Sequence, residues 1–234
     1  MRWEKRSGVG VFFDVDRTII SENSGTLYLR ALYDRGEIDW LTLVRSLGPY
    51  LQYKLNLLDI ERWTETTMQQ FKGRSERSMS REANRWFRDY VLPKIYPEAE
   101  ELAHKHAEQG HIVALVSGAS KFVLRPLAAH LNIKHIMHTH LEVKDGRFTG
   151  RVVQPICFGE GKIYWVQQLI EPLGIDLAKS YFYSDSITDL PLLEVVGHPE
   201  IVNPDPLLYR EARRRHWPVR FFRDPLSHEA SGRG

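Results

Sequence analysis

The chain has 234 residues, 42% hydrophobic and 26% charged, with a formal net charge of +2. That length supports one sizeable core with room for an inserted subdomain, and so small a charge gives no ground for a nucleic-acid partner. The single cysteine, Cys157, excludes an internal disulfide and any multi-cysteine metal site, and without ~18 uninterrupted apolar residues anywhere no membrane span is expected.

The opening residues MRWEKRSG lack the apolar core and cleavage site of a signal peptide, so a soluble cytoplasmic protein is the expectation. The apolar run Val9, Val11, Phe12 and Phe13 predicts a strand buried on both faces, as in a parallel sheet. It stops at two carboxylates, Asp14 and Asp16, with Thr18 two places on. Desolvating carboxylates there is costly unless a cation or donors offset it, and open α/β sheets bind ligands outside the carboxyl ends of their strands. Two apart on a strand-like backbone, Asp14 and Asp16 are expected to point to one side and one reacting centre.

Helices are predicted over Ser24–Arg35 with Ser24 as N-cap, Asp39–Tyr53 with a break near Gly48-Pro49, Asp59–Phe71, and Ser75–Tyr90. No strand-like alternation interrupts Ser24 to Pro93, which therefore reads as a helical block between the first strand and the next α/β unit. Then come a helix over Pro97–Gln109, a buried strand over His111–Val116 ending in Ser117-Gly118-Ala119-Ser120, and a helix over Lys121–Leu131. Ile133–Val143 and Arg147–Val153 read as strands joined by the turn Lys144-Asp145-Gly146. A helix over Gly159–Leu173 carries Lys162 in its first turn, and the strand Ser180–Tyr183 again ends in carboxylates, Asp185 and Asp189. Glu200–Val202 and Val219–Phe222 read as edge strands flanking an Arg-rich helix, and the polar stretch Asp224–Gly234 is expected to fray. Strands alternating with helices of this length predict an α/β fold with a doubly wound, mainly parallel sheet.

Hydrolysis of a phosphate ester through a covalent intermediate needs a nucleophile, a proton donor for the leaving alcohol, and positive charge around the phosphoryl oxygens. An aspartate can be the nucleophile, and Mg²⁺, held by one or two carboxylates, water and phosphate oxygens, offsets its charge. Asp14 and Asp185 suit those two carboxylates, which leaves Asp16 for general acid and base work. A hydroxyl and backbone N–H groups at Ser117-Gly118, before a helix, make a phosphate-binding corner, and Lys162 offers a point charge between Gly159-Glu160-Gly161 and its helix.

Together, D-x-D-x-T from Asp14 to Thr18, Ser117-Gly118, Lys162 and S-D-S-x-x-D from Ser184 to Asp189 resemble the four motifs of the haloacid dehalogenase superfamily. The helical block looks like the cap of its phosphoserine-phosphatase-like branch, subfamily IB. The resemblance implies a Rossmann-like core over 1–23 and 94–234 and a helical cap over 24–93. It implies a Mg²⁺-dependent phosphatase acting on a small phosphorylated metabolite through an aspartyl-phosphate. On that basis Asp14 is the nucleophile and a metal ligand, and Asp16 is the acid/base, its backbone carbonyl also on the metal. Ser117 with the Gly118 amide, Lys162 and Thr18 fall to the phosphate side. Asp185 ligates the metal and Asp189 supports the metal shell or the lysine. The second aspartate is what phosphatases of the superfamily have and dehalogenases lack. A phosphotransferase or mutase of the same fold is the alternative. A non-catalytic binding module is a further one, against which the intact Asp14, Asp16, Lys162 and Asp185 argue.

Three positions depart from the family pattern. Arg17 stands where glycine or a small residue is usual, and Thr188 where asparagine is usual. Asn23 replaces the glutamate that phosphoserine phosphatases use, nine residues after the nucleophile, to bind the substrate's amino group; Glu22 is one place off. A phosphate ester without a nearby amino group is therefore expected. His130, His135, His138 and His140 cluster without a placed third ligand, and Arg210–Arg215 reads as a solvated helix end. The Leu- and Tyr-rich stretch Leu41–Leu58 reads as helix packing, with an apolar pocket for a greasy ester as the sharper alternative.

Overall fold

The computed structural model describes residues 8–45, 60–223 and 225. Its strands are β1 (Gly10–Phe13), β2 (Ile112–Ser120), β3 (His135–Lys144), β4 (Arg147–Val153), β5 (Tyr181–Ser184), β6 (His198–Val202) and β7 (Val219–Arg220). They form one sheet in the order β4-β3-β2-β1-β5-β6-β7. Neighbours run parallel throughout, except that β3 and β4 form an antiparallel hairpin.

The helices are α1 (Ser24–Asp34), α2 (Trp40–Arg45), α3 (Ile60–Met68), α4 (Glu76–Trp86), α5 (Pro97–Glu108), α6 (Lys121–His130), α7 (Glu160–Leu173), α8 (Leu190–Val195) and α9 (Pro206–Arg215). Alternate residues of the central strands enter different cores. Val11, Phe13, Leu115 and Tyr183 pack with Ala99 and Ala103 of α5 and Leu124 and Leu127 of α6. Phe12, Val116 and Phe182 pack with Val166 of α7, Leu193 of α8 and Leu208 of α9. Burial on both faces explains why these strands are unbroken apolar runs rather than alternating ones. The chain winds from β1 to β2 on one side and later to β5 on the other, so β1 is the switch point at whose carboxyl end a crevice opens.

The segments entering and leaving the helical block run side by side. Ser21 N–H donates to the Lys94 carbonyl at 2.8 Å, and Tyr96 N–H to that of Ile19 at 2.9 Å. The block is also stitched to the outer edge of β4. Gly73 N–H donates to the Phe148 carbonyl at 2.8 Å and Phe148 N–H to that of Arg74 at 3.0 Å, while Ser75 and Arg147 form an antiparallel bridge. Met79 and Ala83 of α4 close a small apolar cluster with Phe122 and Phe148, and Glu76 pairs with Lys121.

The structure departs from the sequence expectations in several places. β1 ends at Phe13, so Asp14 and Asp16 are not placed by strand alternation. β2 continues through Ser120, with a shift of register against β3 between Ser117 and Ser120. β6 is an inner strand, covered on its far side by β7, and only the latter is an edge. The helix expected to Tyr90 ends at Trp86 and widens into a π-helical turn, Phe87–Val91. α8 went unpredicted because it is six residues long and opens Leu190-Pro191. The Gly48-Pro49 break, most of Leu41–Leu58, residues 1–7 and nearly all of Asp224–Gly234 lie outside the described residues. Among the described residues no helix is long and apolar enough to cross a membrane.

Phe148 is 3% exposed and joins the hairpin to α4 and α6. Phe148→Ala should cost about 3–5 kcal/mol in denaturant unfolding, because a large buried ring is removed where two elements pack. A loss below about 1 kcal/mol would show that the cluster does not hold the block to the sheet.

Candidate active site

Where β1 ends, the Asp14 N–H continues the ladder to the Tyr183 carbonyl at 2.9 Å, which fixes Asp14 beside the end of β5. Beneath this junction the Phe13 and Tyr183 rings stack, with centroids 4.5 Å apart. The chain then turns sharply. The Val15 carbonyl accepts from the N–H groups of Thr18, Ile19 and Ile20, and Arg17 takes a left-handed conformation with φ of 60°.

Lys162 lies in the first turn of α7 and is 2% exposed. Its Nζ donates to Asp14 Oδ1 at 2.6 Å and to Asp189 Oδ2 at 2.7 Å. Asp189, 1% exposed, also accepts from Ser184 Oγ at 2.6 Å. Glycine at 161 is obligatory: a Cβ there would lie 1.9 Å from the Ile156 carbonyl oxygen, so any side chain would push the start of α7, and Lys162 with it, away from Asp14. Sequence reading placed Lys162 but assigned no role to Ser184, whose hydroxyl ties the second motif carboxylate to the end of β5.

Ser117 is buried, with its Oγ accepting from the Ala119 N–H at 3.1 Å, and Gly118 is exposed. A Cβ on Gly118 would meet protein atoms no closer than 3.6 Å, so packing does not demand glycine there. Thr18 is fully buried, and its hydroxyl has no partner among the described residues. Asp16 is half-buried and is held by the start of α1: Oδ1 accepts from Ser24 N–H at 2.9 Å, and Oδ2 from Asn23 Nδ2 at 2.9 Å and Ser24 Oγ at 3.2 Å. Glu22 is paired with Lys94 at 2.5 Å.

Four aspartates, 14, 16, 185 and 189, interact electrostatically around one buried ammonium. Burial raises the Asp14 carboxyl to about 7, against the pull of Lys162. Burial, then the charges of Asp14 and Asp189, raise Asp185 well above the usual carboxylate range, and Arg17 only partly opposes this. Lys162 is raised by Asp14 and Asp189 against its own desolvation. Asp185 is buried among other carboxylates, and the charge of Arg17 offsets them only in part. That donor set, hard oxygen with unbalanced negative charge, fits Mg²⁺. Among the described residues no three His, Cys, Asp or Glu side chains are spaced to clasp a metal unaided.

Three of the four clustered histidines, His130, His138 and His140, have partners of their own. His138 stacks on His140 at 4.1 Å and His140 on Trp165 at 4.3 Å, while His138 Nδ1 hydrogen-bonds the Thr139 carbonyl. His130 faces Glu100 at 3.5 Å. In the Arg-rich helix, Arg214 and Arg215 both pair with Glu211.

The family model of haloacid dehalogenase-like hydrolases matches residues 11–194. A probable phosphatase of Mycobacterium tuberculosis is 34% identical, over 95% of this chain and 78% of its own length. A histidinol-phosphatase of Neisseria meningitidis is 32% identical, over 90% of this chain and 97% of its own. The crystal structure of a protein of unknown function from Bordetella pertussis Tohama I shares the fold with a TM-score of 0.81, 30% identity, and coverage of 91% of this chain and 98% of that one. A substrate-bound phosphoserine phosphatase shares the fold at 18% identity, with a TM-score of 0.66 over 88% of this chain and 91% of its own.

The raised Asp14 carboxyl has a consequence for stability. Its value moves from 3.8 to about 7, so the folded chain holds this proton more tightly than the unfolded chain does. In metal-free protein that contribution is full below about pH 4 and is lost as pH climbs through about 7. His106 and His138, lowered to about 4 chiefly by burial, act in the opposite direction over part of that range. The difference between Asp14→Asn and the unmodified protein isolates the Asp14 part. In EDTA, the variant's advantage in Tm should grow from about pH 4 to about pH 7 and then level off. A difference independent of pH would mean that Asp14 is not held above its ordinary value.

Proposed function

The chain belongs to the haloacid dehalogenase-like hydrolase family and is a phosphatase of that type, and from that premise we propose a Mg²⁺-dependent phosphomonoesterase acting through an aspartyl-phosphate on a small phosphorylated metabolite. The observation that carries the proposal is the Lys162 ammonium bridging Asp14 and Asp189 close to the buried, raised carboxyl of Asp185. A binding module has no need of a buried, cation-aligned carboxylate at the switch point of its sheet. In this reading residues 24–93 form a cap on a core of 1–23 and 94–234.

An Asp14 carboxylate oxygen attacks phosphorus, and the bond from phosphorus to the ester oxygen breaks. Asp16 gives its proton to that oxygen, so an alcohol departs. Water then attacks the aspartyl-phosphate while the Asp16 carboxylate takes one of its protons. The bond from phosphorus to Asp14 breaks, which returns both aspartates to their starting states. Lys162, the Ser117 hydroxyl and the Gly118 amide hold the phosphoryl oxygens. The Asp14 and Asp185 carboxylates and the Asp16 carbonyl would hold Mg²⁺, which would supply charge neutralisation for the phosphoryl group.

Asp14→Asn should fold and release no phosphate, because an amide is not a useful nucleophile at phosphorus. Phosphate release by the unmodified protein should require Mg²⁺, and Asp185→Ala should weaken metal binding far more than substrate binding. Normal release from a folded Asp14→Asn variant, or full activity after exhaustive chelation, would overturn the mechanism.

Substrate choice follows from the turn after β1. Asn23 spends its amide on Asp16 and on capping α1, and Glu22 is paired with Lys94, so neither residue offers a substrate ammonium a free carboxylate. An unmatched buried charge costs several kcal/mol. Phosphoserine and histidinol phosphate both carry an amine on the carbon next to the ester CH₂. Each should show a lower kcat/KM than an amine-free ester such as glycerol phosphate. A clear preference for either amine, lost on Glu22→Gln, would instead name Glu22 as the ammonium's partner.

A further inference from the structure

The acid/base carboxylate is not aimed by its own strand. β1 ends at Phe13, and the left-handed Arg17 turns the chain immediately after Asp16. What holds the carboxylate is the beginning of α1. Three donors converge on its two oxygens: the Ser24 N–H and hydroxyl, and the Asn23 side-chain amide at 2.9 Å.

Asn23 is itself held at its other end. Its Oδ1 accepts from the Thr26 N–H at 3.2 Å, the bond that caps α1, and its backbone is extended at φ −81° and ψ 129° as an N-cap residue requires. One planar amide thus spans two fixed objects, a helix end and a catalytic carboxylate. No other side chain does both tasks here. Aspartate caps a helix equally well but has no donor and sets a like charge against Asp16. Serine caps well, but its hydroxyl is on a shorter stem and has a single proton to give. Alanine does neither.

We infer that Asn23 is a positioning residue for Asp16, its amide being anchored by the α1 cap and in turn orienting the carboxylate toward the leaving oxygen. This rests on the acid/base role proposed for Asp16. Because 19–21 pair with 94–96, the start of α1 is tied to the segment that leads into α5. The orientation of Asp16 is therefore built into the entry to the helical block before substrate arrives. A misplaced acid costs rate in the step where the ester oxygen needs a proton, and little in substrate binding.

The test uses the full chain with Mg²⁺, an alkyl phosphate as poor leaving group and p-nitrophenyl phosphate as good one. Pre-steady-state phosphorylation, kcat, KM and Tm are measured for Asn23→Ser, Asn23→Asp, Asn23→Ala and Asp16→Asn. Asn23→Ser and Asn23→Asp keep the cap and should keep Tm. They should lose kcat on the alkyl ester on the order of 10- to 100-fold with KM little changed, and lose far less in the p-nitrophenyl burst. Asn23→Ala should lose the same rate and also Tm. If Asp16→Asn shows the leaving-group dependence while the two cap-preserving variants behave as the unmodified protein, the positioning role is wrong and the acid/base assignment stands. The role is equally wrong if rate falls only in Asn23→Ala, in step with its Tm. If Asp16→Asn is equally slow with both esters, the acid/base assignment falls and takes this inference with it.

Discussion

A single buried ammonium organises the site. Lys162 lies between Asp14 and Asp189, 148 and 27 residues away in the chain, and all three are almost fully enclosed. Removing one partner from such a group typically costs about 3–5 kcal/mol, because it strands the remaining charges. Reaching that place constrains other parts of the chain. α7 must begin against the Ile156 carbonyl, which only a glycine at 161 permits. Asp189 must be drawn toward the end of β5, which the Ser184 hydroxyl does. β1 and β5 must pair in register so that Asp14 follows Phe13 opposite Tyr183.

The ammonium is outnumbered. Around it lie four aspartates, three of which, Asp14, Asp16 and Asp185, are pushed upward mainly by burial. Folding thus assembles a site that is electrostatically unsatisfied by the protein alone, and the hydrophobic cores on both sheet faces outweigh that cost. The imbalance is what a divalent cation and the donors of a phosphate pocket are suited to relieve, which couples the stability of the site to its ligands.

The helical block is attached to this core at two places with different consequences. Its entry and exit pair at Ile19–Ser21 and Lys94–Tyr96, so the N-terminus of α1 is set close to Asp16. Its far side pairs with the outer edge of β4 around Ser75 and Phe148, which also covers an otherwise open sheet edge. The first attachment bears on the orientation of the Asp16 carboxylate, and the second on the stability of the whole.

Much of this was legible in the chain itself. The unbroken apolar runs of β1, β2 and β5 announced strands buried on both faces, because only a doubly covered sheet lets every residue be apolar. Asp14, Lys162 and Asp185 were recognisable as candidates because each stands where a strand ends or a helix begins, and local sequence determines those ends well. Beyond that, tertiary structure decided. Periodicity assigned Asp16 to a strand face, whereas the start of α1 aims it. Asn23 read as a missing charge and is a bridge between helix cap and carboxylate. β6 read as an edge and is internal. The physical reason is common to all of them. Backbone propensity and apolar pattern depend on near neighbours, so a sequence states them outright. The partner of a polar side chain, and the neighbours of a strand, depend on how distant elements dock, and that is settled only when the two cores close on the sheet.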